Sequence, residues 1–393
     1  MDGKCLNGLH PGTYRIKYSI KGEPLVSIIV PSIRIENLEK CIESIFTKST
    51  YKKFEIIVID GSQTNEISNF TQKFPNTYRF KNPILKFNFS KINNFGVSKS
   101  KGEYVIFLND DTEVIEPSWI EELLGQAQRK EVGIVGAKLL YPENKVQHAG
   151  TIIGIRGYAG NYGGFPNNDP HYFALHLMIR DVSAVTAACM MMSRELFDLV
   201  GGFDEELGRA WQDVDLCLRT LQIKKYIVYT PFSLLYHYEG GTRGRGDPSD
   251  EELKARSMFR KKYIVTIQNG DPYYNPNLSI LEPYVPDTQY ITTSDPLEIL
   301  IKIYNNRPDL QREFPEVNEG KYQRLIDWAS TYGVTQDYYR NRLLEFNYYY
   351  MSNASENVKE LARSIFQYNN NPSMIEKFTE VLDGNFINIK KID

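Results

Sequence analysis

The sequence has few cysteines, no long apolar run and no excess of positive charge. None of its four cysteines forms a CxxC pair, which favours free thiols in a reducing compartment. The formal net charge of −3 provides no global basicity, so we expect no nucleic-acid partner. The N-terminus lacks an apolar signal-peptide core, and the apolar run 184–192 is too short for a bilayer. These absences predict a cytoplasmic protein, with the inner face of the membrane as a further option.

The 393 residues suffice for a sizeable core and more than one domain. Apolar runs of buried-strand length occur at 25–30, 54–60, 103–108 and 132–135. Between these runs, apolar residues recur with the spacing of one helix face, for example at Leu38, Cys41, Ile42, Ile45 and Phe46. This alternation predicts an α/β fold with a mostly parallel sheet, in which ligands collect at the carboxyl ends of the strands.

The second half is more varied. The pattern predicts a hairpin over 139–154, strands over 184–192 and 226–229, and helices over 194–200, 213–221 and 249–263. Beyond about residue 283 only helical patterns remain. We therefore predict a lead-in strand in 1–23, an α/β domain that carries the candidate site in 24–268, a linker in 269–287 and a small helical domain in 288–393.

Carboxylates follow two of the buried strands. Asp60 ends the run 54–60, and Asn109, Asp110 and Asp111 follow the run 103–108. Carboxylate oxygens are the ligands that Mg²⁺ and Mn²⁺ prefer, commonly together with substrate phosphates. The alternative is that Asn-Asp-Asp only forms a polar turn.

Further candidates lie downstream, each with a structural alternative. Asp213 could act as a general base, or it could cap a helix, which is the stronger reading for Asp215. His237 could complete a metal site with Asp111, or it could be a structural histidine. Arg243 could hold phosphate oxygens.

Seven segments in order carry a family resemblance. They are PLVSIIVPS, FEIIVIDGS, GEYVIFLNDDTEV, VGAKLLYPENKVQHAG, VSAVTAACMMMSRELFDLVGGFDEE, WQDVDLCLR and LYHYEGGTRG. Together they resemble the family 2 glycosyltransferases with the GT-A fold, and most closely a rhamnosyltransferase-like branch that builds bacterial O-antigens and related surface polysaccharides. The resemblance covers roughly residues 14–280.

The resemblance implies a role for each strand-end residue. Asp60 matches the aspartate that holds the nucleotide base, and Asp111 matches the metal ligand of the DxD-type motif. Asp110 is the middle residue of that motif and would contact the donor's ribose or sugar, or hold the turn. Asp213 matches the catalytic base, and His237 matches a late histidine that often binds the metal. The implied cofactor is Mn²⁺ or Mg²⁺.

The implied activity is an inverting transfer of a sugar, such as rhamnose, from a nucleotide-diphosphate sugar to a glycan or lipid-linked glycan. Arg243 would close over the diphosphate, and Trp211 and Asp204 would lie on the acceptor side. Trp211 could stack on a sugar there, or it could belong to the core. The C-terminal helices could associate with a membrane or form a homo-oligomer, or they could simply be a core of their own.

Two other functions are open on the sequence. A nucleotidyltransferase would need a glycine-rich basic signature after the first strand, and PSIRIEN (31–37) has no glycine. A non-catalytic glycan-binding module would not need the intact set of acidic residues and His237. PSIRIEN also lacks the Asn or Asp that the family usually has soon after the proline.

Overall fold

The computed structural model describes residues 2–84, 86–155, 158–238 and 250–275, together with 278, 301, 304, 311–312 and 314–325. The chain divides into two compact units. The first comprises Met1–Ile153 and Tyr158–Tyr274, and it contains the sheet described below. The predicted helical domain 288–393 lies mostly outside the described residues, and of the predicted linker 269–287 the structure describes 269–275 and 278. The predicted domain bounds therefore stay a prediction.

The strands in the described residues are β1 (Gly3–Asn7), β2 (Tyr14–Tyr18), β3 (Val26–Ser32), β4 (Phe54–Asp60), β5 (Thr77–Lys81), β6 (Tyr104–Leu108), β7 (Thr112–Val114), β8 (Val132–Leu140), β9 (Val146–His148), β10 (Thr151–Ile153), β11 (Ala159–Asn161), β12 (Arg180–Val182), β13 (Cys189–Ser193) and β14 (Tyr226–His237). The helices are α1 (Ile35–Lys48), α2 (Glu66–Thr71), α3 (Phe89–Lys99), α4 (Trp119–Ala127), α5 (Arg194–Leu199), α6 (Gln212–Gln222) and α7 (Asp250–Asn269). Short 3₁₀ helices occupy Tyr172–Leu177, Glu205–Leu207 and Pro315–Glu319.

One mixed sheet organises the first unit. Its strand order is β12-β14-β8-β13-β6-β3-β4-β5, with β7 paired to β14 and β9 paired to β8. The pairs β3–β4, β3–β6, β4–β5 and β8–β14 are parallel. Strand β13 runs antiparallel between β6 and β8. The predicted α/β architecture, a mixed sheet flanked by helices, is thus confirmed.

Helices cover both faces of this sheet. Apolar side chains of α1 and α4 pack with alternate residues of β3 and β4 in one buried core. On the other face, α3 approaches so closely that a Cβ at Gly96 would lie 2.4 Å from Ile29 and 3.3 Å from Ile59. Only glycine permits that approach without displacing the helix.

Strand β3 extends further than its apolar run predicts. The run indicates a strand that closes before Pro31, whereas β3 continues through Pro31 to Ser32. Pro31 has no N–H to donate, which normally bars it from a central strand. Here β6 pairs with β3 only as far as Ile29, so beyond that residue β3 is bordered by β4 alone. The extension carries Ser32 to the level of Asp60 on β4.

The second half differs more from the sequence patterns. The strand predicted over 184–192 begins only at Cys189, because 184–188 form a loop whose backbone binds other side chains. Strand β14 runs to His237 instead of ending near Tyr229. Strand β5 was missed, because its alternating, half-exposed side chains provide no apolar run. In the described residues, no helix is long and apolar enough to cross a membrane.

Asp215 lies in the first turn of α6, as predicted, and its side chain also links α6 to α7. Its carboxylate is fully buried and accepts a hydrogen bond from Tyr263 Oη at 2.6 Å and ion pairs from Arg219 at 2.8 Å and Lys262 at 2.7 Å. Arg219 in turn donates to the carbonyl oxygen of Gly202 at 2.7 Å. This network fixes the start of α6 against its surroundings.

We expect Asp215→Ala to lower the free energy of unfolding by roughly 3 kcal/mol, because removing one partner of a buried ion pair leaves the other charged groups unpaired. This value is at the lower end of the usual loss of about 3–5 kcal/mol, because Lys262 is partly exposed. Chemical denaturation measures the change, with Asp198→Ala as the matched control. Asp198 forms an exposed ion pair with Arg194, whose loss costs less than about 1 kcal/mol. Equal losses of stability in the two variants would contradict the role of Asp215 in a buried ion-pair network.

Candidate active site

Four strands bring polar side chains to one edge of the sheet. Strands β3, β4, β6 and β14 all run in the same direction across the sheet. Their carboxyl ends therefore lie along the same edge, the position at which α/β sheets bind ligands. Ser32, Asp60 and His237 are the last residues of three of these strands, and Asn109 follows the fourth.

Asp60 is buried and fully hydrogen bonded. Its Oδ1 accepts from the backbone N–H and the hydroxyl of Ser62, at 2.8 and 2.6 Å. Its Oδ2 accepts from Nε and Nη2 of Arg79, at 2.8 and 2.6 Å. Burial raises the pKa of Asp60, but the bonds from Ser62 and Arg79 outweigh burial and the pKa is lowered. All four lone-pair positions of this carboxylate are occupied, so a direct contact with a nucleotide base requires one of these bonds to open.

Asp110 turns towards β3. Its Oδ2 accepts a hydrogen bond from the Ser32 hydroxyl at 2.6 Å. Burial, together with the neighbouring charge of Asp111, raises the pKa of Asp110 to about 6, although the Ser32 bond opposes the shift. The two adjacent aspartates thus point to different partners.

Asp111 turns towards His237. Its Oδ1 lies 3.1 Å from His237 Nε2, and both residues are more than nine-tenths buried. The backbone holds this pair, because Thr112 and His237 are partners in the β7–β14 ladder and the Tyr238 N–H donates to the Asp111 carbonyl oxygen at 2.9 Å. Asn109 Nδ2 lies 3.1 Å from the same His237 Nε2.

The Asp111–His237 pair fits a divalent cation. An octahedral Mg²⁺ holds its ligands at about 2.1 Å, so two neighbouring ligands lie about 3 Å apart. The 3.1 Å between Oδ1 and Nε2 matches that separation. No group of three or more His, Cys, Asp or Glu side chains suited to a metal occurs within the described parts of the chain. Water or substrate phosphates would therefore have to supply the other ligands, as is common for Mg²⁺.

Asp213 lies in the first turn of α6 and is partly exposed. Its Oδ2 accepts from the backbone N–H of Ala187 at 3.1 Å, and its Oδ1 from the N–H of Val214 at 2.9 Å. Desolvation raises the pKa of Asp213 despite these hydrogen bonds. A carboxylate with a raised pKa that retains access to solvent has the properties of a general base.

The loop before β13 connects Asp213 to the acidic turn. Ala187 donates to Asp213, and the carbonyl oxygen of the next residue, Ala188, accepts from the Asn109 N–H at 3.1 Å. Thr186 is held in turn, because its N–H donates to His148 Nε2 at 3.2 Å. Asp213 and the turn that carries Asp111 are thus attached to consecutive residues of one short segment.

Trp211 occupies a strained position beside Asp213. Its φ of 58° lies in the left-handed region, which costs a bulky residue about 1–3 kcal/mol. Its ring stacks with Tyr158 and Phe259, at centroid distances of 5.3 and 5.9 Å, and Arg256 lies over it. The ring is engaged by protein side chains, as in the core alternative, and sugar stacking stays a prediction.

Asp204, Arg243 and His148 are the remaining candidates from the sequence. Asp204 caps a 3₁₀ helix, accepting from the Glu206 N–H at 3.1 Å, and it pairs with Lys262 at 2.7 Å. Its acceptor-side role stays a prediction. Arg243 lies outside the described residues. His148 is fully buried, and burial lowers its pKa to about 4, so it is a neutral structural residue.

Three groups that shape the site are not predicted by the sequence patterns: the Ser32 hydroxyl, the Arg79 guanidinium and the Ala187 N–H. Arg79 lies on β5, which has no apolar run, and a backbone N–H leaves no signal in a sequence. Ser32 could have been found, because it follows the apolar run of β3 as Asp60 follows that of β4.

Comparisons with known proteins indicate the family of this domain. The model of the family described as Glycosyl transferase family 2 matches residues 27–201. The chain is 39% identical over 279 residues to the uncharacterised protein y4gI of Sinorhizobium fredii, and 36% identical over 284 residues to the O-antigen biosynthesis protein RfbC of Myxococcus xanthus. Each alignment covers 69% of this chain, but only 31% and 21% of the respective relative.

Among solved structures, GalNAc-T7 with UDP, GalNAc and Mn²⁺ aligns with a TM-score of 0.49 and 14% identity, over 62% of this chain and 48% of that chain. The family match spans β3 to α5 and includes Asp60 and the turn 109–111. Asp213 and His237 lie beyond the family match, but they lie within the alignments with the two relatives, which extend over about 280 residues. Residues 27–201 therefore resemble a glycosyl transferase family 2 domain.

Proposed function

We propose that the chain is an inverting, metal-dependent glycosyltransferase that moves a sugar from a nucleotide-diphosphate sugar to a glycan hydroxyl. One observation supports this most strongly. The Asp213 carboxylate and the turn that carries Asp111, the partner of His237, are held by consecutive residues of the segment 186–188. A base and a cation site on one short scaffold suit a reaction that removes a proton on one side and releases a diphosphate on the other.

Asp213 acts as the base in this proposal. It takes the proton of the acceptor hydroxyl while that oxygen attacks the anomeric carbon, and the bond from carbon to the diphosphate oxygen breaks. The N–H groups of Ala187 and Val214, together with the side chain of Thr186, hold the carboxylate in place and leave a lone pair for the proton. Attack opposite the leaving group inverts the anomeric centre.

Asp111 and His237 would hold Mn²⁺ or Mg²⁺, with the donor's phosphate oxygens as further ligands. Bound there, the cation supplies positive charge that stabilises the leaving diphosphate. Asp110 contacts the donor's ribose or sugar through the oxygen that Ser32 leaves free. Asp60 acts on the nucleotide base either directly or through Arg79, whose guanidinium it orients.

The remaining parts of the proposal come from the resemblance in sequence. Arg243 closes over the diphosphate, while Trp211 and Asp204 face the acceptor. The rhamnosyltransferase-like motifs favour rhamnose as the sugar, and the acceptor is a growing surface glycan, free or lipid-linked, at the inner face of the membrane. The chain covers a third or less of the two relatives named above, so these assignments concern this domain only.

A screen of nucleotide sugars by thermal unfolding tests the proposal. A donor at 100 times its dissociation constant adds about 2.7 kcal/mol of stability. For a unit of this size that corresponds to a rise in Tm of roughly 5–10 °C. We expect such a rise with one donor, including nucleotide-diphosphate rhamnose in the set, and only when Mn²⁺ or Mg²⁺ is present.

Slow, metal-dependent hydrolysis of the same donor without acceptor would separate an enzyme from a glycan-binding module. A donor that binds equally well in excess chelator would contradict the metal role. Stabilisation by glycans alone, with no response to any nucleotide sugar, would contradict the transferase.

A further inference from the structure

Gln147 holds His237 at two points. Its Oε1 lies 2.5 Å from His237 Nδ1, and its Nε2 donates to the backbone carbonyl oxygen of the same histidine at 3.2 Å. Gln147 is 7% exposed and His237 8%, so both bonds lie in a region with little water. A hydrogen bond in such surroundings constrains its partner more strongly than one at the surface.

These two bonds determine which nitrogen of His237 carries the proton. The carbonyl oxygen of His237 can only accept, so it must face the NH₂ end of the Gln147 amide. The Oε1 end then faces Nδ1, and because oxygen can only accept there, Nδ1 must carry the hydrogen. In a neutral imidazole the other nitrogen, Nε2, is left with a lone pair.

That lone pair lies where the proposed cation needs it. Nε2 is the atom 3.1 Å from Asp111 Oδ1, and the Asn109 Nδ2 beside it, also at 3.1 Å, is a donor suited to a lone pair. Two electron-pair donors, Oδ1 and Nε2, therefore lie side by side at the separation expected of neighbouring ligands of one cation. With the proton on Nε2 instead, the imidazole could not bind a metal through that atom.

A β-bulge brings Gln147 to this position. In the β8–β9 ladder Leu140 pairs with Val146 and Leu139 pairs with His148, so Gln147 is the extra residue of β9. A bulge turns a side chain away from the regular alternation of the strand. His148, the next residue, binds Ala137 and Thr186, while Gln147 reaches β14. The adjacent residues of the QHAG segment thus support opposite sides of the site.

We propose that Gln147 is a positioning residue that sets the tautomer and orientation of His237, so that Nε2 presents its lone pair beside Asp111 to a divalent cation. The inference depends on the metal role of His237 given under Proposed function. Groups that orient a metal-binding histidine typically contribute a factor of about 10–100 to metal affinity.

The experiment compares three variants of the full chain. Gln147→Leu removes both hydrogen bonds, whereas Gln147→Glu keeps an acceptor for the Nδ1 proton. Gln126→Leu is the matched control, because Gln126 is a buried glutamine of α4 that does not contact the site. Mn²⁺ affinity is measured by calorimetry without donor, and the tautomer of His237 by ¹⁵N NMR of labelled imidazoles in metal-free protein at alkaline pH.

We expect the wild type, Gln147→Glu and Gln126→Leu to show the proton on Nδ1 and similar Mn²⁺ affinity. Gln147→Leu should show a mixture of tautomers and an affinity lower by about 10–100-fold. An unchanged tautomer and affinity in Gln147→Leu would overturn the proposal on Gln147 alone. A wild type with the Nδ1 proton but no Mn²⁺ binding, with or without a nucleotide sugar, would overturn the metal role on which it depends.

Discussion

Asp213→Asn should lower turnover by roughly 10²- to 10⁴-fold, the usual effect of losing a general base. The amide has the shape of the carboxylate but cannot take a proton from an acceptor hydroxyl. Its single oxygen can still accept from Ala187 or Val214, so α6 should keep its position. Donor binding, measured by calorimetry with metal present, should change little, because Asp213 contacts neither Asp111 nor His237 among the interactions that the structure describes.

The pH dependence of kcat/KM provides a second measurement on the same residue. Burial raises the pKa of Asp213 above 3.8, so the base becomes protonated, and inactive, as the pH falls through that raised value. The wild type should therefore lose activity on the acid side at a higher pH than an ordinary aspartate would cause. The residual activity of Asp213→Asn should lack this limb.

Asp198→Asn makes the same chemical change at an exposed position of α5 and should leave both rate and pH profile unchanged. Wild-type turnover in Asp213→Asn would show that another group takes the proton. Loss of donor binding together with turnover would point instead to a structural role for Asp213.

Asp111→Asn should abolish most of the metal-dependent stabilisation by the donor, about 2.7 kcal/mol at 100 times the dissociation constant. Asp111→Asn removes the only carboxylate of the pair and leaves the imidazole of His237. The described residues offer no group of three metal-binding side chains from which a replacement could come. Thermal unfolding with and without Mn²⁺, at fixed donor concentration, measures the loss.

Asp110→Asn is the informative comparison, since it alters the adjacent carboxylate. An asparagine oxygen at that position can still accept from Ser32, and Asp110 does not face His237. We expect this variant to bind donor more weakly but to keep its requirement for metal. The reverse result, with metal dependence lost in Asp110→Asn and kept in Asp111→Asn, would exchange the roles of the two aspartates.

The acidic strand ends could be predicted from the sequence because their signal is local. An apolar run followed at once by polar residues marks the end of a buried strand, and this pattern alone places Asp60 and Asp111 at such ends. The α/β architecture could be predicted for a related reason, because the alternation of runs and helical spacing depends only on neighbouring residues. The antiparallel direction of β13 could not be predicted in this way, because no local pattern encodes the direction of a strand.

The fold class, the positions of the acidic residues and the family resemblance can all be read from the amino-acid sequence. The partners of the site residues follow only from the folded chain: Ser32 binds Asp110 across 78 residues, Gln147 binds His237 across 90, and Arg79 binds the carboxylate of Asp60. Such pairs depend on strand order, on register and on a single bulge, and a register shift of one residue turns a side chain to the opposite face. Apolar patterning therefore predicts where a strand ends, but the side chain that meets it there is selected by contacts between distant segments.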